Sequence, residues 1–145
     1  MRLENLRVAE VMQTAVISAR EDDDIRKVAA DMRLADVRHV PVVDAELHVV
    51  GILSSRDVLR VLGRGGTAPI PVAKVMTRTV MTVRPSTPAA VAAVVLLQYK
   101  IGALPVVGNH DELVGLVTET DFLRLAVQAL RDSEAEVRDE HHPSP

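Results

Sequence analysis

The hydrophobic and polar positions of this chain follow one pattern twice. Residues 40–43 (Val-Pro-Val-Val) return as residues 104–107 (Leu-Pro-Val-Val), and residues 51–60 return as residues 115–124. The offset is 64 residues at each landmark, with no insertion or deletion between them. Two copies of one unit predict a pseudo-symmetric molecule, and the surface between the copies is the natural place for a cleft.

The first half of each unit predicts a lead-in, a brief strand and a helix. The helical lead-ins cover residues 8–12 and 72–76, and the brief strands cover residues 15–18 and 80–83. In the first copy, the acidic run at 21–24 precedes the helix, where carboxylates cap free N–H groups and suit the helix dipole.

In the second copy, Thr87 is predicted to cap the helix and Pro88 to occupy its first position. Residues 91–97 are apolar nearly all round, which predicts that this helix is the more buried of the two.

The second half of each unit predicts two strands and a final helix. The strands are placed at 39–43 and 49–54 in the first copy, and at 103–107 and 113–118 in the second. The final helices are expected to begin near residues 55 and 118. The unit is therefore β-α-β-β-α, and the fold class is α+β. Its crossover should be parallel and right-handed, and its last two strands antiparallel.

The repeat also predicts the organisation of the chain. Its four parts are a first repeat at 1–63, a linker at 64–71, a second repeat at 72–130 and an acidic tail at 131–145. The glycines of the linker are not followed by Gly-Lys-Ser/Thr, so a plain connection is expected rather than a phosphate loop. The adjacent His141 and His142 offer too few ligands to predict a metal site.

Composition excludes several classes of function. The net charge is −3 and the only aromatic residues are one Tyr and one Phe, which argues against a nucleic-acid partner. There is no cysteine, so neither a disulfide nor thiol catalysis is available. No apolar run is long enough for a signal peptide or a membrane span, so no membrane association and a cytoplasmic location are expected.

Two repeated residues have alternative interpretations. Pro41 and Pro105 lie inside apolar strands, where a missing N–H either protects a sheet edge or leaves backbone groups open to another partner. Gly51 and Gly115 lie early in the next strand, where a glycine permits close approach of another backbone or of a ligand.

A hydroxyl and a carboxylate lie three residues apart where a strand becomes a helix, as Ser54 with Asp57 and as Thr118 with Asp121. Such a pair can form a capping box. The same geometry also suits a nucleotide, because a helix N-terminus attracts phosphate and a carboxylate accepts both hydroxyls of a ribose.

The ordered set of motifs, duplicated in register, resembles the cystathionine-β-synthase (CBS) domain family. Two copies resemble a complete Bateman module, here a stand-alone protein, and the resemblance covers roughly residues 8–130. It implies two units that pack through their sheets by pseudo-two-fold symmetry. It also implies clefts for an adenosine-containing ligand, namely AMP, ADP, ATP or S-adenosylmethionine, and no cofactor.

The resemblance implies a set of nucleotide-binding residues. Asp57 and Asp121 would bind ribose, Ser54 and Thr118 would assist, and the backbone near residues 15–17 and 79–81 would line the base pocket. The full set is Arg38, His39, Ser54, Arg56, Asp57, Thr79, Val80, Ala103, Thr118, Thr120 and Asp121.

The two copies differ in charge at these positions. The first offers Arg38, His39 and Arg56, whereas the second offers uncharged Gly102, Ala103 and Thr120 at the same places. Because phosphate needs cationic or N–H partners, a phosphorylated ligand is expected in the cleft served by the first copy. The second cleft would suit a neutral adenosine or stay empty. Alternatively, the cations form an ordinary solvated surface.

These features favour a regulatory, ligand-sensing module that forms a homodimer and signals to an unidentified protein. The alternative is a dimerisation or interaction module that binds no nucleotide. The chain shows no catalytic triad, no zinc-ligand spacing and no credible pair of catalytic carboxylates, so an enzyme is not expected.

Overall fold

The computed structural model describes residues 3–140, and it has the expected α+β architecture. The first half contains a 3-10 turn at Val8–Glu10, α1 at Ile25–Ala35, β1 at His39–Val43, β2 at Val49–Ser54 and α2 at Ser55–Leu62. The second half contains a 3-10 turn at Val72–Lys74, α3 at Ala89–Tyr99, β3 at Ala103–Val107, β4 at Leu113–Thr118 and α4 at Glu119–Glu140. The four strands have the predicted bounds. No helix in the described range is both long and apolar enough to cross a bilayer.

Each half is built around one antiparallel hairpin. β1 pairs with β2 so that Pro41 lies opposite Ile52, and β3 pairs with β4 so that Pro105 lies opposite Leu116. Each register shifts once near the end of its first strand, before Val43 and before Val107. The predicted antiparallel pairing is therefore confirmed, and the 64-residue repeat is preserved in the strand register.

The prediction of brief strands at 15–18 and 80–83 is wrong. Each is reduced to one parallel bridge, Ala19 with Val42 and Val83 with Val106. In the first half, the Ala19 N–H donates to the Pro41 carbonyl at 3.0 Å, and Val43 donates to Ala19 at 2.9 Å. The next bond of a parallel ladder would come from the N–H of residue 41. Proline has none, so the ladder stops there.

The final helices begin at Ser55 and Glu119, close to the predicted residues 55 and 118, whereas the cap of the preceding helix was predicted correctly in the first copy only. Asp24 caps α1, and its side chain accepts a hydrogen bond from the Arg26 N–H at 3.2 Å. Thr87 does not cap α3, because its hydroxyl accepts from the Arg84 N–H at 3.0 Å. Pro88 lies at the N-cap, one residue before the helix.

The prediction that α3 is the more buried helix is also wrong. Only Ala89, Ala92 and Leu96 are buried, whereas Val94 is 55% exposed and Leu97 is 80% exposed. The apolar outer face of α3 is therefore left uncovered within one chain.

The lead-in of each repeat packs into the core of the other half. Val8 is fully buried in a cluster with Leu104 and Val117, and its N–H donates to the Thr87 carbonyl at 2.8 Å. Val72 lies in the first-half core and is anchored in the same way. The lead-ins are thus exchanged, so neither core is complete without residues from both repeats.

The exchanged lead-ins bring the two halves together through their sheets. Gln13 pairs with Leu116 through two backbone hydrogen bonds of 2.9 Å, and Thr77 pairs with Ile52 in the same way at 2.9 and 3.0 Å. A Cβ added to Gly51 would lie 2.5 Å from Met76 Sδ. The repeated glycine therefore serves close packing of the lead-in.

Candidate functional site

A cleft of about 940 Å³ lies between the halves. The first repeat contributes Arg38, His39, Ile52, Ser54, Ser55, Arg56, Asp57 and Leu59 to its lining. The second repeat contributes Thr77, Thr79, Val80, Met81, Tyr99, Lys100, Ile101, Gly102, Ala103 and Glu119. We refer to it as the Asp57 cleft.

One end of the cleft is formed by the start of α2. Ser54 is the N-cap residue, and its hydroxyl accepts a hydrogen bond from the Asp57 N–H at 3.1 Å. Asp57 Oδ1 accepts from the Arg60 guanidinium at 2.6 Å, and the Asp57 side chain is 21% exposed. Among the described residues, Asp57 Oδ2 has no hydrogen-bond donor. An incoming hydroxyl group can therefore donate to this carboxylate without displacing a buried partner.

Three cationic side chains line the same cleft. Arg38 precedes β1, Arg56 lies in the first turn of α2, and Lys100 ends α3 with a left-handed backbone φ of 53°. None of the three side chains forms an ion pair or hydrogen bond with another described residue. They are available to an anionic group, with Glu119 as an opposing charge on the cleft wall.

His39 follows Arg38 in the chain and also lines the cleft. Its ring lies against Gly102, where an added Cβ would be 2.5 Å from His39 Cε1. Burial lowers the pKa of His39 below its ordinary value of 6.5. Glu119 and Asp57 act in the opposite direction, and Arg38 adds to the lowering. The ring is therefore neutral at pH 7 and can either donate or accept a hydrogen bond.

The opposite wall carries open backbone groups beside apolar side chains. Between Thr79 and Met81, no backbone N–H or carbonyl is hydrogen-bonded to another described residue. For the Met81 carbonyl the reason is again a proline, because Pro105 lacks the N–H that a longer ladder would donate to it. A planar ring with polar edges could lie against Val80 and pair with this backbone.

The structure separates the residues predicted from sequence into two groups. The Asp57 cleft gathers Arg38, His39, Ser54, Arg56, Asp57, Thr79, Val80 and Ala103. Thr118, Thr120 and Asp121 do not line it, and occupy the pseudo-symmetric position at the start of α4. Sequence reasoning missed Tyr99 and Lys100. Their place in the cleft depends on where α3 ends, which no motif marks.

The carboxylate at the start of α4 is enclosed. Asp121 is only 7% exposed, and its Oδ2 accepts from the Thr118 N–H at 2.8 Å and the Thr118 hydroxyl at 3.1 Å. Its Oδ1 accepts from Gln13 Nε2 at 2.8 Å. The capping-box interpretation therefore describes this position well, whereas Asp57 leaves an oxygen open.

A surface group of possible metal ligands lies at the first hairpin turn. One ligand atom each of Asp44, Glu46 and His48 lie within 4.8 Å of one another. Asp44 Oδ1 already accepts from the Glu46 and His48 N–H groups at 2.9 Å, which explains its presence as a turn cap. His141 and His142 lie outside the described residues.

Solved structures of known proteins share the fold of this chain. AcuB from Vibrio cholerae aligns with a TM-score of 0.82 and 32% identity, over 90% of this chain and 98% of that one. The CBS domain pair of protein MJ0100, solved with 5′-methylthioadenosine and S-adenosylmethionine, aligns with a TM-score of 0.76 and 28% identity, over 83% and 98%. CBSX2 from Arabidopsis thaliana, solved with AMP, has a TM-score of 0.73 and 26% identity, over 85% and 97%.

The curated relatives are longer proteins. The L-aspartate semialdehyde sulfurtransferase of Methanocaldococcus jannaschii is 29% identical over 81% of this chain. A homoserine O-acetyltransferase of Methanococcoides burtonii is 33% identical over 81%. This chain spans only 23% and 24% of those two proteins, so their enzyme names describe more chain than the part that matches.

The family model of the CBS domain matches residues 8–64 and again residues 72–128. Together these matches cover most of the chain, and their boundaries follow the internal repeat. This chain therefore belongs to the CBS-domain family, of which it carries a tandem pair.

Proposed function

We propose that this protein is a regulatory module that binds an adenosine-containing ligand in the Asp57 cleft and signals its presence to a partner protein. The observation that carries the proposal is the open carboxylate of Asp57, in the same cleft as Arg38, Arg56 and Lys100, whose side chains have no ion-pair partner among the described residues. AMP, ADP, ATP and S-adenosylmethionine combine a ribose diol with an anionic phosphate or carboxylate, which is the chemistry that this lining complements.

Each part of the ligand has a matching part of the cleft. The ribose hydroxyls would donate to Asp57, with Ser54 beside them. Phosphate oxygens would accept from Arg38, Arg56 and Lys100, and His39 would add a neutral partner. The adenine ring would lie between Val80 and Ala103 and pair with the open backbone of residues 79–81. Solved relatives with bound AMP or S-adenosylmethionine support this class of ligand.

Thermal unfolding with each of the four ligands tests the proposal. A ligand at 100 times its dissociation constant stabilises the folded state by about 2.7 kcal/mol, which is a rise in Tm on the order of 5–10 °C. We expect such a rise for at least one ligand, and its loss in Asp57→Asn. No rise with any of them at millimolar concentration would overturn the proposal and favour the interaction-only alternative.

We also propose that the module forms a homodimer through α3 and α4. Leu123, Val127 and Leu130 repeat on α4 at spacings of four and three residues and are 66%, 40% and 66% exposed. This spacing is typical of a helix that packs against another helix. The exposed face of α3 extends the surface. Light scattering of Leu123→Glu and Leu130→Glu should show a monomer, and an unchanged mass would contradict this contact.

The interaction-only alternative uses the same dimer surface and requires no ligand. A cytoplasmic location and the absence of a nucleic-acid partner stay predictions of the sequence.

A further inference from the structure

The position pseudo-symmetric to the Asp57 cleft lies at the start of α4. It differs from the first cleft in the hydrogen bonds that its carboxylate, Asp121, already accepts. In the described chain, Asp121 accepts three hydrogen bonds, one from Gln13 and two from Thr118. Arg124 adds a cation 3.9 Å from Oδ1. A carboxylate offers about four lone-pair sites, and Thr118 takes both of those on Oδ2 while Gln13 takes one on Oδ1. Only one site is left for the two hydroxyls of a ribose, and loss of the Gln13 bond would leave Oδ1 open, as Oδ2 of Asp57 is.

Neither the Gln13 bond nor the two Thr118 bonds have an equivalent at Asp57, which accepts only from Arg60 among the described residues. Ser54 offers the same N–H and hydroxyl as Thr118, so Gln13 is the donor that the first cleft lacks by residue type. Its counterpart at the 64-residue offset is Thr77, which lines the Asp57 cleft. The backbones of the two residues are held alike, because each pairs with a β-strand through two hydrogen bonds of 2.9–3.0 Å. The difference therefore lies in the side chains. The glutamine amide reaches its aspartate at 2.8 Å, whereas Asp57 accepts no bond from Thr77.

The charges around the second position also differ from those of the first. Where the Asp57 cleft has Lys100, the offset places Asp36, and where it has Arg56, the offset places Thr120. Asp36 and Lys100 end their helices with the same left-handed backbone, at φ values of 54° and 53°. If Gln13 were displaced, neither of these two positions would offer a cation to a phosphate.

We propose that the Gln13 side chain takes the place of a ribose on Asp121, at the position pseudo-symmetric to the Asp57 cleft, and thereby limits the chain to one adenosine ligand. This inference rests on the proposed function, because it assumes that ribose binds to the aspartate of the first cleft. It assigns a specificity-determining role to Gln13 and Thr77, acting through the aspartates beside them.

Exchange of the two side chains tests this role in both directions. Gln13→Thr places a threonine beside Asp121, as Thr77 stands beside Asp57 in the wild type. Thr77→Gln does the reverse and brings an amide to Asp57. Titration calorimetry with 5′-methylthioadenosine, which has no phosphate, should give one ligand per wild-type chain and two per Gln13→Thr chain. The added site should be lost again in Gln13→Thr/Asp121→Asn. Thr77→Gln should weaken binding at least tenfold, with an unfolding temperature close to that of the wild type.

The possible failures are distinguishable. Two ligands per wild-type chain would overturn this inference and leave the proposed function intact. A stoichiometry of one in Gln13→Thr, together with unchanged affinity in Thr77→Gln, would also overturn it alone. If neither AMP, ADP, ATP, S-adenosylmethionine nor 5′-methylthioadenosine binds to the wild-type chain, the proposed function and this inference fail together.

Discussion

The ring of His39 lies directly against the backbone of Gly102, so the first strand of one half touches the segment that leads into the first strand of the other. A Cβ at residue 102 would lie 2.5 Å from His39 Cε1 and 2.6 Å from Nε2. His39 and Gly102 both line the Asp57 cleft. This pair of residues therefore takes part both in the contact between the halves and in the lining of the binding site.

Substitution of Gly102 by alanine is expected to destabilise the protein through this contact. The imidazole must move to accommodate the methyl group, and such overpacking costs about 1–3 kcal/mol. A double-mutant cycle with His39→Ala, measured by urea unfolding, should show that the cost of Gly102→Ala largely disappears when the ring is absent. Equal costs in both backgrounds would show that the contact is not responsible.

Stability should depend on pH through His39. Because burial lowers its pKa in the folded state, the unfolded chain binds more protons near pH 6 than the folded chain does. The free energy of unfolding should therefore fall as pH drops below about 6.5, and level off below the folded pKa. His39→Asn should remove this part of the dependence. Glu119, Asp57 and Arg38 face the ring and stay in place in the variant.

The measurement is the difference in unfolding free energy between the wild type and His39→Asn across that pH range. A difference that does not change with pH would contradict the assignment. A larger advantage of the wild type at low pH would imply a raised pKa instead.

Loss of a cation from the cleft should weaken the binding of phosphorylated ligands more than that of neutral ones. Arg56→Gln removes one cation from the lining of the cleft, and a charge-assisted hydrogen bond contributes about 1.5–3 kcal/mol. We expect at least about tenfold weaker AMP binding and little change for 5′-methylthioadenosine. Arg33→Gln, an exposed arginine of α1 outside the cleft, is the matched control. Equal losses for both ligands would indicate that Arg56 supports the cleft rather than the phosphate.

The exchanged lead-ins predict that a mutation in one repeat weakens the other half. Val8→Ala removes buried methyl groups from the second-half core and should cost about 1–3 kcal/mol. In hydrogen-exchange mass spectrometry, the amides of residues 103–118 should then exchange faster than those of residues 39–54. Val72→Ala should show the reverse. Faster exchange confined to the mutated residue's own repeat would contradict the exchange of lead-ins.

The repeat allowed most of the secondary structure to be predicted, because hydrophobic patterning is a local signal. The bounds of all four paired strands follow from it. The strands expected at 15–18 and 80–83 failed because the residue that prevents them, Pro41 or Pro105, lies on the partner strand. A proline two dozen residues away in sequence removes the hydrogen bond, and no local pattern records that.

The cleft was predictable in part for a similar reason. The pairing of Ser54 with Asp57 is local, and its position at a helix start follows from the motif. The contribution of Lys100 and the contact between Gln13 and Asp121 depend on the exchange of lead-ins and on the packing of the halves. The sequence predicted unequal clefts from charge alone, whereas the structure shows that the two aspartates also differ in their partners, because Gln13 donates to Asp121.

Titration calorimetry on two matched variants tests the central claim most directly. Asp57→Asn and Asp121→Asn make the same change at pseudo-symmetric positions, and each is titrated with whichever adenosine ligand stabilises the wild type. Binding should be lost or weakened at least about a hundredfold in Asp57→Asn, since a carboxylate holding a diol makes two charge-assisted hydrogen bonds. Asp121→Asn should keep near wild-type affinity. Equal losses in both variants, or loss in Asp121→Asn alone, would contradict the account.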